Sequence, residues 1–432
     1  MKSIFNKKLV NIFFEKVLFF LVITFPIIIP LGSLAINIST ALLSVITFFY
    51  LFRNFQTLNY IKKIIIYIII FFLFILLNTL IQFINFEILF KTFANFRYLF
   101  LTLAVFLVLE RLSYNQKTFY YSLNLIVVSL ICLDIFYQFI FYQNILGFSP
   151  GMCTSDLPIK CLRFSGVFGD ELIAGSYLSQ IGLLIFILFM NSNIISHYFF
   201  IKSFLLLFFL VITILLTGER SALLIFAFFT FFFFFFKKKL INFLILSIFF
   251  IFFIFFLSQK VESINDRFVV SFKSWGWGVV SDKEMGLKKI TQNPWSLHYY
   301  AAIELFLEKP LIGHGPKSFR IKCENTKIHK DTSDRIHYYR DYRACSTHPH
   351  NYLLEFISEN GIIGGLFFIG LFFFIFFSTY KKYKIPILIS IGSLILAIIL
   401  PFRPSGSFFS TFNASMFFYI FGFFLHYLNK DK

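Results

Sequence analysis

Long apolar runs, each closed by a charged or turn-forming break, repeat along almost the whole chain. A helix that crosses a bilayer needs about 20 mostly apolar residues, and roughly 17 suffice. On that measure the runs predict spans near residues 17–31, 33–52, 64–84, 96–109, 118–141, 172–190, 199–216, 221–236, 240–257, 352–377, 385–400 and 408–427. The shortest are 96–109 and 385–400, and 199–216 and 221–236 are separated only by Thr217-Gly218-Glu219-Arg220. The fold class expected is all-α: a polytopic membrane protein with about twelve transmembrane helices.

Composition agrees with that reading. Of 432 residues, 58% are hydrophobic, 22% are aromatic, and 14% are charged, against about 25% charged in an ordinary soluble domain. A soluble enzyme, a disordered chain and a disulfide-rich secreted miniprotein are excluded. The net charge of +18 would suggest nucleic acid in a soluble protein. Here it sorts by loop, as lysine and arginine do on the cytoplasmic side of short loops. With the amino terminus inside, the inner segments carry Lys2, Lys7, Lys8, Arg53, Lys62, Lys63, Arg111, Lys117, Lys237, Lys238, Lys239, Lys381, Lys382, Lys384, Lys430 and Lys432. The short outer segments carry only Lys91, Arg97, Lys160, Arg163, Arg220 and Arg403. Both termini are therefore expected in the cytoplasm, the first apolar run is expected to be a retained span, and no nucleic-acid partner is expected.

The remaining polar mass is concentrated between Gln259 and Pro349, on the outer side, with six of the eight histidines in it or at its end. Its amphipathic stretch, 299–307, predicts a helical subdomain. Three divisions follow: spans one to nine in 1–257, the large loop in 258–349, and spans ten to twelve in 350–432. Cys153, Cys161, Cys323 and Cys345 fall outside and Cys132 falls within a span, so two disulfides, Cys153–Cys161 and Cys323–Cys345, are expected in an oxidising periplasm-like space.

Ionisable groups at a membrane boundary are costly and tend to be functional. Four clusters are expected on the outer face. They are Arg163-Phe-Ser-Gly-Val-Phe-Gly-Asp170-Glu171; Thr217-Gly218-Glu219-Arg220-Ser221; Pro310-Leu-Ile-Gly313-His314-Gly315-Pro316-Lys317; and His348-Pro-His350-Asn351-Tyr352. Each has a structural alternative. Arg220 can snorkel to headgroups, and Arg163 can pair with Asp170 or Glu171. The Gly-Pro run is a turn before it is a phosphate cradle, and Asn351 can cap a helix. His314, His348 and His350 do not have the spacing of a short zinc-ligand pattern, and no Asp-x-Asp motif lies on this face.

The run His348-Pro-His350-Asn351-Tyr-Leu-Leu-Glu-Phe-Ile-Ser-Glu359-Asn-Gly361-Ile-Ile-Gly364 resembles the signature of the O-antigen ligase and polymerase superfamily, bacterial membrane proteins that move glycans from a polyprenyl-pyrophosphate carrier. Three further stretches resemble it in order: 163–178 as Arg-x-x-Gly-x-Phe, 217–223 as Ser-Arg-x-Ala with Glu219 where serine is common, and 310–319 as Pro-Leu-Ile-Gly-x-Gly. The resemblance covers 163–377. It implies a membrane-embedded, GT-C-like glycosyltransferase of the inner (cytoplasmic) membrane, with its site on the periplasmic face under the large loop. By correspondence His350 and Arg220 would be catalytic, and Arg163, Arg267, His298, Asn351, His348 and Arg320 would bind pyrophosphate or acceptor. Where the family places an arginine before the loop's amphipathic helix, this chain has Ser296-Leu297-His298, so Arg267 or Arg320 would supply the second cation.

The implied donor is a glycan on undecaprenyl pyrophosphate. Arginine suits its oxygens, histidine suits a hydroxyl proton near neutral pH, and the scheme calls for no cofactor or metal. The acceptor is expected to be lipid A-core, as in O-antigen ligation. The alternatives are polymerisation of lipid-linked repeat units, transfer to a protein hydroxyl, and, from another class, a lipid-linked sugar flippase. A flippase would commonly show internal repeats and midplane charges; no repeat is visible, and Asp134 is the one charge deep in a span.

Overall fold

The structure is a computed structural model, and it describes residues 2–53, 61–152, 162–191, 199–270, 294–333 and 344–429. Every expected apolar run is helical. In the first half they are α1 (Lys2–Ile28), α2 (Ser33–Arg53), α3 (Lys62–Ile81), α5 (Phe96–Arg111) and α6 (Tyr114–Phe141), with α4 (Phe86–Ala94) just before α5. The sixth span is one rod with a π turn in it: α7 (Ala174–Tyr177), Leu178–Gly182, then α8 (Leu183–Met190). Next come α9 (Phe199–Leu216), α10 (Arg220–Phe236) and α11 (Leu240–Ser258). The large loop holds α12 (Glu262–Ile264), a π turn at Asn265–Val270, α13 (Pro294–Glu308), α14 (Phe319–Lys322) and α15 (Lys327–Ser333). The chain returns through α16 (Tyr352–Lys381), α17 (Pro386–Ile398) and α18 (Thr411–Asn429). A two-residue ladder pairs β1 (Gly151–Met152) with β2 (Leu162–Arg163).

Among the described residues, seven helical stretches are long and apolar enough to cross a membrane, with four shorter apolar helices beside them. The chain is an all-α polytopic membrane protein. The centre of the bundle is α5, α8, α17 and α18, most of whose residues are buried. By contrast α11 fully buries only Ser258, packs Phe250, Phe253, Ile254 and Leu257 on the core, and exposes isoleucine, leucine and phenylalanine on its other side, as suits a lipid-facing helix.

Two local features depart from uniform spans. The fourth span is preceded by α4, which the hydropathy pattern did not predict because Glu87 and Lys91 interrupt its apolar face. Asn85 caps it, its Oδ1 accepting the Ile88 amide at 2.8 Å. The tenth span is broken at Gly361, where φ is 63° and ψ is −164°. That conformation is open to glycine and strained for other residues.

The loop has its own small core of Leu297, Ala301, Ala302, Leu305, Phe319, Cys323 and Ala344, against which Leu354 of α16 packs. Cys323 and Cys345 are joined as a disulfide with their Cα atoms 5.1 Å apart. Cys132 is free and buried. Cys153 and Cys161 lie outside the described residues.

Candidate functional site

An arginine set is built around the turn between α9 and α10. Gly218, at φ 66°, is the hinge: a Cβ there would come within 3.2 Å of Arg267 Cγ and 3.3 Å of Arg163 Cγ. Arg267 donates through Nε to the Gly218 carbonyl at 2.8 Å. Arg163, on β2, donates to the Leu172 carbonyl at 2.9 Å and approaches Glu219 Oε1 at 3.8 Å. Arg220 opens α10 immediately after. Three guanidinium groups from distant parts of the chain thus surround one two-residue turn.

Glu219 is the acid in their midst, and it is heavily engaged. Its carboxylate accepts the amides of Gly175 and Ser176 at 2.8 and 3.1 Å and the Ser176 hydroxyl at 2.6 Å. Glu219 therefore ties the α9–α10 turn to the start of the sixth span, which accounts for a carboxylate where serine is common in the resembling family. Burial, and then repulsion from Arg220 and Arg163, pushes Arg267 down to about 9. All three arginines stay charged near neutrality, and the set carries more positive charge than Glu219 balances. An arrangement of this kind favours an anion, and arginine's planar fork fits phosphate oxygens.

Asp134 and Gln138 near the end of α6 brace the neighbouring loop. Asp134 Oδ1 accepts the Ile145 amide at 3.0 Å, and Gln138 Oε1 accepts the Gly166 amide at 2.8 Å. The deep-span acid thus has a structural task.

A histidine set lies between the large loop and α16. The ring centroids of His348 and His350 are 4.2 Å apart, and those of His298 and His350 are 5.2 Å apart with planes at 27°. His298 comes from the amphipathic helix α13, and the other two precede α16. His350 has a left-handed backbone, φ 55°, and its carbonyl accepts the Ser405 amide at 2.9 Å and the Tyr299 hydroxyl at 3.5 Å. Nδ1 of His298 is buried without a hydrogen-bond partner among the described residues. Burial, reinforced by His348 and His298, pushes His350 down to about 3, and burial likewise takes His348 to about 4. The His350 imidazole is neutral at physiological pH, and the burial that keeps it neutral also makes it a weak base until negative charge lies beside it.

Asn351, expected at the substrate, is committed to the protein. Its Oδ1 caps α16 through the Leu354 amide at 3.0 Å, and its Nδ2 donates to the Pro401 carbonyl at 2.7 Å. It positions His350 and has both ends of its amide occupied. Arg320 is exposed on α14 and reaches His348 and Lys317 through its charge. Of the two arginines considered for the second cationic contact, Arg267 lies at the Gly218 turn beside Arg220, and Arg320 lies on α14.

The Pro-Leu-Ile-Gly run forms a dock against α16. The Ile362 amide donates to the Pro310 carbonyl at 2.7 Å, and the Gly315 amide to the Glu359 carbonyl at 2.8 Å. Gly313 and Gly361 let the two backbones meet: a Cβ on either would fall 2.4 or 2.3 Å from the opposing carbonyl carbon. Asn78 of α3 adds a donor to the Ile312 carbonyl at 2.8 Å. These glycines serve backbone contact, and Gly361 also carries the kink in α16.

Both sets lie at one end of the bundle. Phe232 and Phe236 near the end of α10 pack on Phe372 and Phe376 near the end of α16, at 6.4 and 5.4 Å between rings. The two helices therefore run parallel, and their beginnings, Arg220 and the residue after Asn351, share an end. The segment after α17 packs on the mouth of α16. Arg403 there donates to the Ile398 carbonyl at 2.8 Å and stacks over Tyr352 at 5.7 Å. Ser405 was not singled out from sequence, and Arg403, Tyr299 and Gly218 were read only as an outer-segment cation, the start of an amphipathic stretch and part of a turn; the Pro401–Gly406 break around a lone arginine was the available signal.

Residues 205–369 match the family model described as O-antigen ligase. The matched segment takes in Arg220, Arg267, His298, Arg320 and the His348–Asn351 run, and Arg163 precedes it. The chain is a multi-pass membrane protein, and this match over 205–369 supports the O-antigen ligase and polymerase superfamily. No curated protein matches the chain.

Proposed function

We propose that this protein transfers a glycan from undecaprenyl pyrophosphate to an acceptor hydroxyl at the periplasmic end of the bundle, with lipid A-core as acceptor. The observation that carries the reading is the meeting of Arg163, Arg220 and Arg267 around Gly218, at the bundle end that also holds His350. In the reaction the acceptor oxygen attacks the anomeric carbon, and the sugar–phosphate bond breaks. The bonding pair leaves with the diphosphate, and the hydroxyl proton passes to His350. The growing negative charge on the leaving group falls to Arg220, with Arg267 and Arg163 beside it. Donors pre-set for developing charge in a dry site supply much of a rate enhancement, and a positioned base adds about 10²–10⁴-fold. Neutral His350 has the right protonation state to accept, and an anionic donor nearby strengthens its basicity.

This scheme requires the inner membrane, with both termini in the cytoplasm and the arginine and histidine sets outside. The test is a glycan gel of cells lacking the protein. Loss of long glycan from lipid A with carrier-linked glycan accumulating supports ligation. Single repeat units on core would point to polymerisation. Carrier-linked glycan held on the inner face would overturn transfer in favour of a flippase.

A further inference from the structure

We infer that the cleft between the α10–α11 turn and the α16–α17 turn binds the headgroup of an anionic phospholipid of the surrounding bilayer. The cleft has a volume of about 890 Å³ and lies at the end of the bundle away from Arg220 and His350. Its lining pairs two chemistries: Phe236, Leu240 and Ile241 form an apolar floor, while Lys238, Lys239 and Lys381 bring charge.

Charge complementarity selects the ligand. The two turns carry Lys237, Lys238, Lys239, Lys381, Lys382 and Lys384 and no acidic residue. Lys238, at φ 55°, places its ammonium 5.6 Å from the Tyr383 ring centre, joining one turn to the other. The first turn of α11 also opens into the cleft. Its N-cap, Lys239, makes no side-chain cap, and Leu240, Ile241 and Asn242 of that turn line the cleft, which sets the positive end of the helix dipole beside it. A phosphodiester satisfies ammonium groups and helix amides together. A free phosphate would leave the apolar floor uncovered, whereas the acyl chains of a lipid continue from it along the outward-facing side of α11. Basic pockets between helices at a membrane surface recognise anionic headgroups on this principle. The inference stands apart from the transfer reaction, since none of these residues belongs to the arginine or histidine sets.

The test uses the full-length protein in detergent, with native mass spectrometry counting retained phosphatidylglycerol and phosphatidylethanolamine. Wild-type protein should retain phosphatidylglycerol in preference. The combined K238Q, K239Q and K381Q substitutions should cut that retention roughly tenfold or more. A second variant, N242W, fills the cleft without changing charge and should lower it as well. The pair K62Q and K63Q, basic residues outside the cleft, should leave it unchanged. Retention equal to wild type in both cleft variants, an equal loss in the K62Q/K63Q pair, or no preference over phosphatidylethanolamine would overturn the inference. Displacement of the lipid by millimolar inorganic phosphate would do so too, by showing a site for phosphate alone.

Discussion

The carbonyl oxygen of His350 accepts the backbone amide of Ser405 at 2.9 Å. This bond crosses from the mouth of α16 to the segment between α17 and α18, and it secures a residue whose φ is 55°. Left-handed backbone on a residue other than glycine is sparsely populated and persists where the surroundings over-determine it. Asparagine tolerates that region better than alanine does. H350N should therefore accumulate in the membrane at wild-type level and lose about 10²–10⁴-fold in transfer. H350A should lose transfer equally and fold less well. Glycan transfer by purified protein, with melting in detergent alongside, separates the two; a transfer-competent H350N sample would remove the assignment of His350 as base.

Gly218 is pinned between two arginines. G218A would force a strained φ and drive a methyl group to 3.2 and 3.3 Å from the Arg267 and Arg163 side chains. The expected result is a rise in donor KM of about tenfold or more, in line with about 1–3 kcal/mol of backbone strain and displaced charge contacts. An unchanged KM would mean that the arginine set does not hold the donor.

The pH profile follows from burial. Because His350 lies far below the ordinary histidine value of 6.5, its neutral, proton-accepting form persists as pH falls. The acid limb of kcat/KM, which reports the free enzyme, should lie well below pH 6, with little loss between pH 7 and about pH 5.5. Donor binding brings negative charge to the imidazole, so the limb of kcat should sit at higher pH than that of kcat/KM. An acid limb of kcat/KM at 6.5 would contradict the buried placement.

Gly313 and Gly361 should answer differently from Gly218. An added Cβ at either meets opposing backbone at 2.4 or 2.3 Å, which no side-chain rotation relieves. G313A and G361A should each cost about 2–5 kcal/mol and lower thermal stability and membrane accumulation. Normal melting behaviour in both variants would show that the 310–315 run does not dock on α16.

The helices were legible in the sequence because apolar length alone distinguishes a span, and even 199–216 and 221–236, split by four residues, are separate helices. Two breaks were hidden. The π turn at Leu178–Gly182 has no break in hydropathy, and Gly361 reads as one more small residue in an apolar run. At the site, Arg220 and His350 stand out because charge and imidazole are conspicuous beside lipid. The choice between Arg267 and Arg320 was not legible, since it depends on a carbonyl at Gly218 that receives the Arg267 guanidinium. Asn351 was read as a contact for substrate or as a cap, and only the Leu354 amide and the Pro401 carbonyl show where its amide goes. Arg403 was read only as an outer-segment cation, because a single arginine between prolines gives no sign of the Tyr352 ring it covers.

Guanidinium groups hold the diphosphate and His350 takes the proton, so the two roles should separate in single-turnover transfer and donor affinity measured together on purified R220A and H350N. H350N should bind the undecaprenyl-pyrophosphate donor as wild type does yet transfer about 10²–10⁴-fold more slowly, while R220A loses donor affinity and transfer together. Transfer at the wild-type rate in H350N, or full donor affinity and full rate in R220A, would contradict this division.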